Sequence, residues 1–109
     1  MDYTFKVCDT CLTASGGSYI VKYSAELTTS PGTGKVEITV ANTIPDVVDE
    51  ELMKQSVEQV CLGVAEVLKE HRLNGALTLI DLVIHDVDCK PYRFRRPTVD
   101  ALRGLGPLH

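Results

Sequence analysis

The sequence lacks the features that mark membrane and secreted proteins. No apolar run approaches the roughly 18 residues that a membrane-spanning helix needs. The first residues have neither the basic start nor the apolar block of a signal peptide, so we expect a cytoplasmic protein. With no secretory signal, the four cysteines are expected to be free thiols.

Motifs for phosphate binding and catalysis are also missing. Two glycine-rich stretches, residues 15–18 and 31–34, lack the Lys-Ser/Thr pair that follows the glycines of a P-loop. No nucleophile lies at motif spacing from a base. The sequence therefore predicts no cofactor and favours a binding function over an enzymatic one.

The length of the sequence is typical of one domain, and its charges are unevenly distributed along the chain. The 109 residues are 44% hydrophobic and 24% charged, which is typical of a single globular domain over residues 1–109. Residues 1–89 contain six Lys and Arg against fourteen Asp and Glu, a balance of −8. Residues 90–109 contain five basic residues against one acidic residue, a balance of +4. The chain thus combines an acidic body (1–89) with a basic tip and C-terminal segment (90–109).

One long amphipathic helix within residues 46–75 dominates the pattern. Apolar residues recur at three- and four-residue spacings and predict a buried stripe. Asp46 or Asp49 can cap its start, and Asn74-Gly75 is expected to end it in a left-handed turn. The predicted stripe consists of Met53, Val57, Val60, Cys61, Val64, Val67 and Leu68.

The remaining pattern predicts four strands and a short helix. Alternation marks strands at residues 3–8, 19–28 and 35–40, and the last two are expected to form an antiparallel hairpin through the turn at 30–34. Residues 76–87 are apolar enough for a central strand, and Thr98 can cap a helix that Gly104 ends. The expected fold is an α+β two-layer sandwich: a mostly antiparallel four-stranded sheet with one long helix and a short C-terminal helix on one face.

This order of elements resembles domain IV of translation elongation factor G, in the ribosomal protein S5 domain 2-like superfamily. The likeness covers roughly residues 19–103. Its matching pieces are Asn42-Thr43-Ile44-Pro45 before the helix, residues 60–68 within it, Leu73-Asn74-Gly75 after it, and Asp81 in the following strand. The resemblance implies a stand-alone domain that contacts RNA or the ribosome.

The tip departs from the family's pattern. Residues 85–88 read His-Asp-Val-Asp, as the family's tip motif begins, yet an ungapped match from Asp81 places Tyr92 at the family's histidine. The family's following Ser-Ser pair is replaced by Cys89-Lys90 or by Arg96-Pro97. A decoding-site role is therefore not carried over.

Cysteine, histidine and aspartate residues offer weak candidates for a metal or redox site. Cys8 and Cys11 have the spacing of half a zinc site or of a redox pair, but a second pair is missing. His85 and Asp88 follow a predicted buried strand, where a solvated strand end is the simpler interpretation. A small metal- or thiol-dependent enzyme remains an alternative on these residues.

The basic segment is the main functional candidate. Arginines interleaved with aromatic rings suit looped or single-stranded RNA, because guanidinium groups bind phosphates and rings stack on bases. The same alternation suits an edge strand whose arginines pair with the acidic helix. A third possibility is a protein-interaction module, self-associating through a sheet edge or face. The candidate contact residues are Lys90, Tyr92, Arg93, Phe94, Arg95, Arg96 and Arg103.

Overall fold

The computed structural model describes residues 1–11, 18–85 and 89–109. In these ranges the chain forms a sheet, a small two-stranded extension and helices. The strands are β1 (Asp2–Cys11), β2 (Tyr19–Pro31), β3 (Val36–Val40), β4 (Thr43–Ile44), β5 (Leu73–Ile80) and β6 (Leu82–Val83). The helices are α1 (Glu50–Glu70) and α2 (Arg95–Arg103), with a 3₁₀ turn at Pro91–Arg93 between β6 and α2.

The four long strands form a mixed sheet in the order β1-β2-β5-β3. Strands β1 and β2 are antiparallel, with Phe5 opposite Ala25, and β2 is antiparallel to β5, with Leu27 opposite Leu77. Strand β5 is parallel to β3. The predicted α+β fold, with one long and one short helix, is confirmed, and β5 is the central strand that its apolar composition predicted.

The predicted hairpin between β2 and β3 is wrong. The chain turns at residues 32–35, but β5 returns from α1 and inserts between the two strands. The hairpin instead joins β1 to β2 over ten residue pairs, and its connecting loop lies outside the described residues. Insertion gives the most apolar strand a hydrogen-bonded neighbour on each side, and its residues Leu73, Leu77 and Leu79 are buried.

Helix α1 packs the predicted stripe against the sheet. Asp49 caps it, with the Asp49 carboxylate accepting from the Leu52 amide at 2.9 Å. The most deeply buried residues of α1 are Ser56, Val60, Gly63, Val64, Val67 and Leu68. Met53, Val57 and Cys61 are half-buried at the margin of the stripe. No helix of the described ranges is long and apolar enough to cross a membrane.

Helix α1 ends earlier than Asn74-Gly75, which corrects the predicted stop. Its last residue is Glu70, and Arg72 adopts the left-handed conformation with a φ of 56°. Asn74 and Gly75 lie in β5. The Asn74 side chain accepts from the amides of Thr33 and Lys35 at 2.9 and 3.0 Å, which ties β5 to the turn before β3.

Helix α2 closes the core beside β1 and α1. It begins at Arg95, one turn before the predicted capping residue Thr98, and Thr98 is buried in its interior. Gly63 of α1 allows this approach, because an added Cβ there would lie 3.0 Å from the Arg95 carbonyl oxygen. Gly104 caps the C-terminal end, as predicted.

A buried hydrogen bond ties α2 to the sheet. The Tyr23 and Thr98 hydroxyls lie 2.5 Å apart, and both residues are almost completely buried. The Thr98 hydroxyl donates to the Phe94 carbonyl oxygen at 2.7 Å, so its single proton is used there. Tyr23 is therefore the donor to Thr98, and burial raises the pKa of the Tyr23 phenol.

Because the Tyr23 phenol is buried, we expect the folded protein to lose stability at alkaline pH. The folded pKa of Tyr23 lies above the unfolded value of about 10, so its stabilising contribution is complete below that pH and falls as the pH rises further. Tyr23→Phe removes the ionisable group and a hydrogen bond of about 1 kcal/mol. We expect the variant to be less stable at pH 8, and its deficit to shrink above pH 10, in urea unfolding at each pH.

Candidate nucleic-acid interface

The alternation of arginines and aromatic residues in the basic segment suits an edge strand, but the segment does not form a strand. Pro91–Arg93 make a 3₁₀ turn, and α2 begins directly afterwards at Arg95. Side chains in these turns point outward in a helical rather than a two-residue period. The seven candidate contact residues are thus distributed around a helical surface, and they differ in exposure and in partners.

Arg93 and two tyrosines form a stack at the start of this segment. The Arg93 guanidinium lies 4.3 Å from the centre of the Tyr19 ring and 5.5 Å from that of Tyr92. Tyr92 is 66% exposed, so most of its ring is available to a partner. Tyr19 comes from the first residue of β2, and the fold brings it to the basic segment.

Phe94 lies in the hydrophobic core and is removed from the set of contact residues. Its side chain is fully buried. A buried ring cannot stack on a base, so only one of the two aromatics of the segment is available to RNA. Phe94 instead anchors the 3₁₀ turn and α2 to the core, and its carbonyl oxygen accepts from Thr98.

Two arginines of the candidate set form ion pairs with α1. Arg95 lies 3.3 Å from Glu66, and Arg103 lies 2.9 Å from Glu70. All four side chains are about half exposed, so each pair contributes about 0–1 kcal/mol. These contacts fit the alternative in which the arginines pair with the acidic helix.

Arg96 is the most exposed arginine of the ion-paired group. Its side chain is 88% exposed, and its Nε lies 3.5 Å from Asp100, one helical turn along α2. A solvated pair at this distance is weak, so Arg96 can exchange Asp100 for another anion at little cost. Arg96 and Tyr92 line the same shallow groove, with a volume of about 520 Å³.

Lys90 lies near the stack, beside the start of β2. Its ammonium group donates to the Ser18 carbonyl oxygen, next to Tyr19. This contact neutralises no charge, because the acceptor is a backbone carbonyl. We define the tip surface as the side chains at and beside this stack whose described contacts include no carboxylate of α1: Tyr19, Lys90, Tyr92, Arg93 and Arg96.

Among the described residues, the weak metal candidates form no metal-binding group. Cys8 and Cys11 are three residues apart in β1, so their side chains project to opposite faces of the sheet. Asp88 lies outside the described residues, and His85 follows β6. Within residues 1–11, 18–85 and 89–109, no group of three His, Cys, Asp or Glu side chains is placed to hold a metal ion.

The thiols of the described residues are free, and two of them are poor nucleophiles. Burial raises the pKa of the Cys89 thiol, which lies 3.3 Å from the Ser56 hydroxyl. Burial, and then the charge of Glu58, raises the pKa of the Cys61 thiol. A raised pKa disfavours the thiolate that nucleophilic chemistry requires.

Comparison with known proteins supports the fold only. No protein-family model matches the sequence, and no curated protein matches it. A solved structure does match. It is the crystal structure of ttk003000868 from Thermus thermophilus, at a TM-score of 0.50 and 12% sequence identity. The match covers 94% of this chain and 15% of that one, so the chain spans a small part of the Thermus protein.

Proposed function

We propose that this domain is a non-catalytic binding module that contacts RNA through the tip surface. The observation that carries the proposal is the stack of Arg93 on Tyr19 beside the exposed ring of Tyr92. A guanidinium that lies over a ring can also bind a phosphate, and the exposed Tyr92 ring beside it suits stacking on an unpaired base. Each stacked base is worth about 1–3 kcal/mol in such sites.

Charge also favours this part of the surface. Arg95 and Arg103 have carboxylate partners on α1, whereas Lys90 and Arg93 contact a carbonyl and aromatic rings. Phosphate attraction is therefore strongest at Lys90, Arg93 and the weakly paired Arg96. A domain with a net charge of −4 binds RNA only through such a local patch.

The resemblance to domain IV of elongation factor G supports ribosomal RNA as the proposed partner class. Two of its matching positions are in contact in this structure. The Asn42 side-chain amide donates to the Asp81 carboxylate at 2.7 Å, and the Asp81 backbone amide donates to the Asn42 side-chain oxygen at 3.0 Å. The proposed kinship is with the ribosomal protein S5 domain 2-like superfamily, and the proposed setting is the cytoplasm.

A charge-matched pair of variants tests the tip surface. We expect Arg93→Ala/Arg96→Ala to weaken binding of a short fluorescent single-stranded RNA and to lower the slope of log K against log salt by about 1.4, since each lost phosphate contact removes about 0.7. Arg95→Ala/Arg103→Ala changes the net charge equally but removes residues paired with α1. Binding of this control should stay close to wild type between about 50 and 200 mM salt.

Thermal unfolding of the same two variants completes the test. Arg93→Ala/Arg96→Ala should unfold within a few degrees of the wild type, because exposed charges contribute little. Equal loss of RNA binding by both pairs would show attraction by net charge alone. A wild-type protein that binds no RNA at low salt would refute the proposal.

The ion pairs favour one competing role, in which the basic segment serves the fold. Arg95 and Arg103 connect α2 to two acidic residues of α1, one helical turn apart. If this is their main contribution, Arg95→Ala/Arg103→Ala lowers the melting temperature and no variant changes RNA retention. Melting and RNA binding measured on both pairs therefore separate the two roles.

A further inference from the structure

Strand β1 forms one edge of the sheet and presents unpaired backbone groups. It is ten residues long and has β2 as its single neighbour in the sheet. Apart from the ladder with β2, no backbone hydrogen bond within the described residues joins Thr4, Lys6 or Cys8 to another part of the chain. A long edge of this kind is a template for a further strand.

The hydrogen-bond pattern identifies which residues of β1 face outward. Met1 and Thr29 exchange two backbone hydrogen bonds, of 3.1 and 2.9 Å, so they form a hydrogen-bonded pair. The odd residues of β1 then turn their amide and carbonyl groups toward β2, and the even residues turn theirs to the free edge. The outward set is Asp2, Thr4, Lys6, Cys8 and Thr10.

We propose that two copies of this chain pair through β1, antiparallel, with Thr4 opposite Thr4 of the second copy. In this register the outward residues Asp2 and Lys6 of each copy face Lys6 and Asp2 of the other. Directly opposed unlike charges stabilise an antiparallel pair, and both side chains are exposed on the uncovered face of the sheet. The product is a continuous eight-stranded sheet with two-fold symmetry.

Competing registers lack this complementarity. Shifting the axis to Lys6 gives a longer overlap, but it places Lys6 directly opposite Lys6. Shifting it to Phe5 pairs Thr4 with Lys6 and leaves Asp2 opposite Cys8. The charges on β1 therefore select the register centred on Thr4.

Helix α2 lies beside one end of β1. It lines a surface depression with residues 6–9 of β1, of which only Lys6 lies in the paired part of the strand in this register. The two copies of α2 consequently lie at opposite ends of the joint. The overlap is short, from Asp2 to Lys6 of each copy, so the dimer is expected to be weak and concentration-dependent.

Charge reversal tests the register in the full chain. In analytical ultracentrifugation, the wild type should show a monomer–dimer equilibrium. Lys6→Asp places like charges opposite each other twice and should raise the dimer dissociation constant about tenfold. The double variant Asp2→Lys/Lys6→Asp restores both pairs, so it should dimerise as the wild type does.

A cysteine placed on the axis gives a second readout. In hydrogen-bonded antiparallel pairs the Cα atoms lie about 5.5 Å apart, within the range of a disulfide. Thr4→Cys in a Cys8→Ser background should form a disulfide dimer on mild oxidation. Thr39→Cys, at an exposed position of the opposite edge strand β3, is the control and should cross-link more slowly.

Each result decides the proposal. Dimerisation, its loss in Lys6→Asp and its recovery in the double variant would support it. A wild type that sediments as a monomer up to millimolar concentration would overturn it and leave the edge to a strand of a different protein. A dimer insensitive to both charge variants would overturn the register, and equal cross-linking at Thr4 and Thr39 would overturn the β1 interface.

Discussion

Val64→Asp is expected to abolish the fold. Val64 is completely buried at the centre of the α1 stripe, between Val60 and Leu68. A carboxylate at this position has to be buried without a partner, at a cost of several kcal/mol. Small domains are stable by about 5–15 kcal/mol in total, so this one substitution removes most or all of the margin. We expect lost thermal cooperativity and insoluble expression.

Leu62→Asp is the matched control. Leu62 lies on the same helix and is 44% exposed, so the same new charge can reach water. Its effect should stay below about 1 kcal/mol, as for most surface substitutions. A Val64→Asp variant that unfolds at the wild-type temperature would contradict the described packing of α1 on the sheet.

Phe94→Ala is expected to produce the second large effect, a loss of about 3–5 kcal/mol of stability. The ring is fully buried and anchors both the 3₁₀ turn and α2. Truncation removes its contacts and leaves a cavity where the basic segment meets the core. Urea unfolding should show the loss, and the variant should hold α2 less firmly against α1.

Tyr92→Ala separates this anchoring role from partner binding. Tyr92 is two residues earlier and largely exposed, so its loss should change stability by less than about 0.5 kcal/mol. It should nevertheless weaken RNA binding, since it removes a stacking surface. Reversed outcomes, with Phe94→Ala stable and Tyr92→Ala unfolded, would contradict the described burial of the segment.

The sequence predicted the elements better than their pairing. Periodicity reports which face of an element is apolar, and it located the buried stripe of α1 and the apolar strand β5. It does not report which strand inserts between two others. Residues 30–34 have the composition of a turn, and strands adjacent in sequence commonly pair, so the sequence favours a hairpin of β2 with β3. The insertion of β5 depends on contacts across the whole chain.

The candidate site was predictable in composition but not in geometry. Charge and aromatic content located the basic segment, yet whether a ring there is buried depends on helical phase. The alternation of Tyr92 to Arg95 suited a strand with both rings inward, whereas the 3₁₀ turn exposes Tyr92 and buries Phe94. Tyr19 was missed because it lies far away in sequence, and no local pattern connects it to Arg93.

The most direct test of RNA binding by the tip surface is backbone NMR of the labelled protein during titration with a single-stranded RNA. The account predicts the largest amide shift changes at Tyr19 and residues 90–96, growing to saturation, with Val36–Val40 at the opposite edge of the sheet unchanged. Largest changes at β3, or no changes at RNA concentrations well above that of the protein, would contradict it.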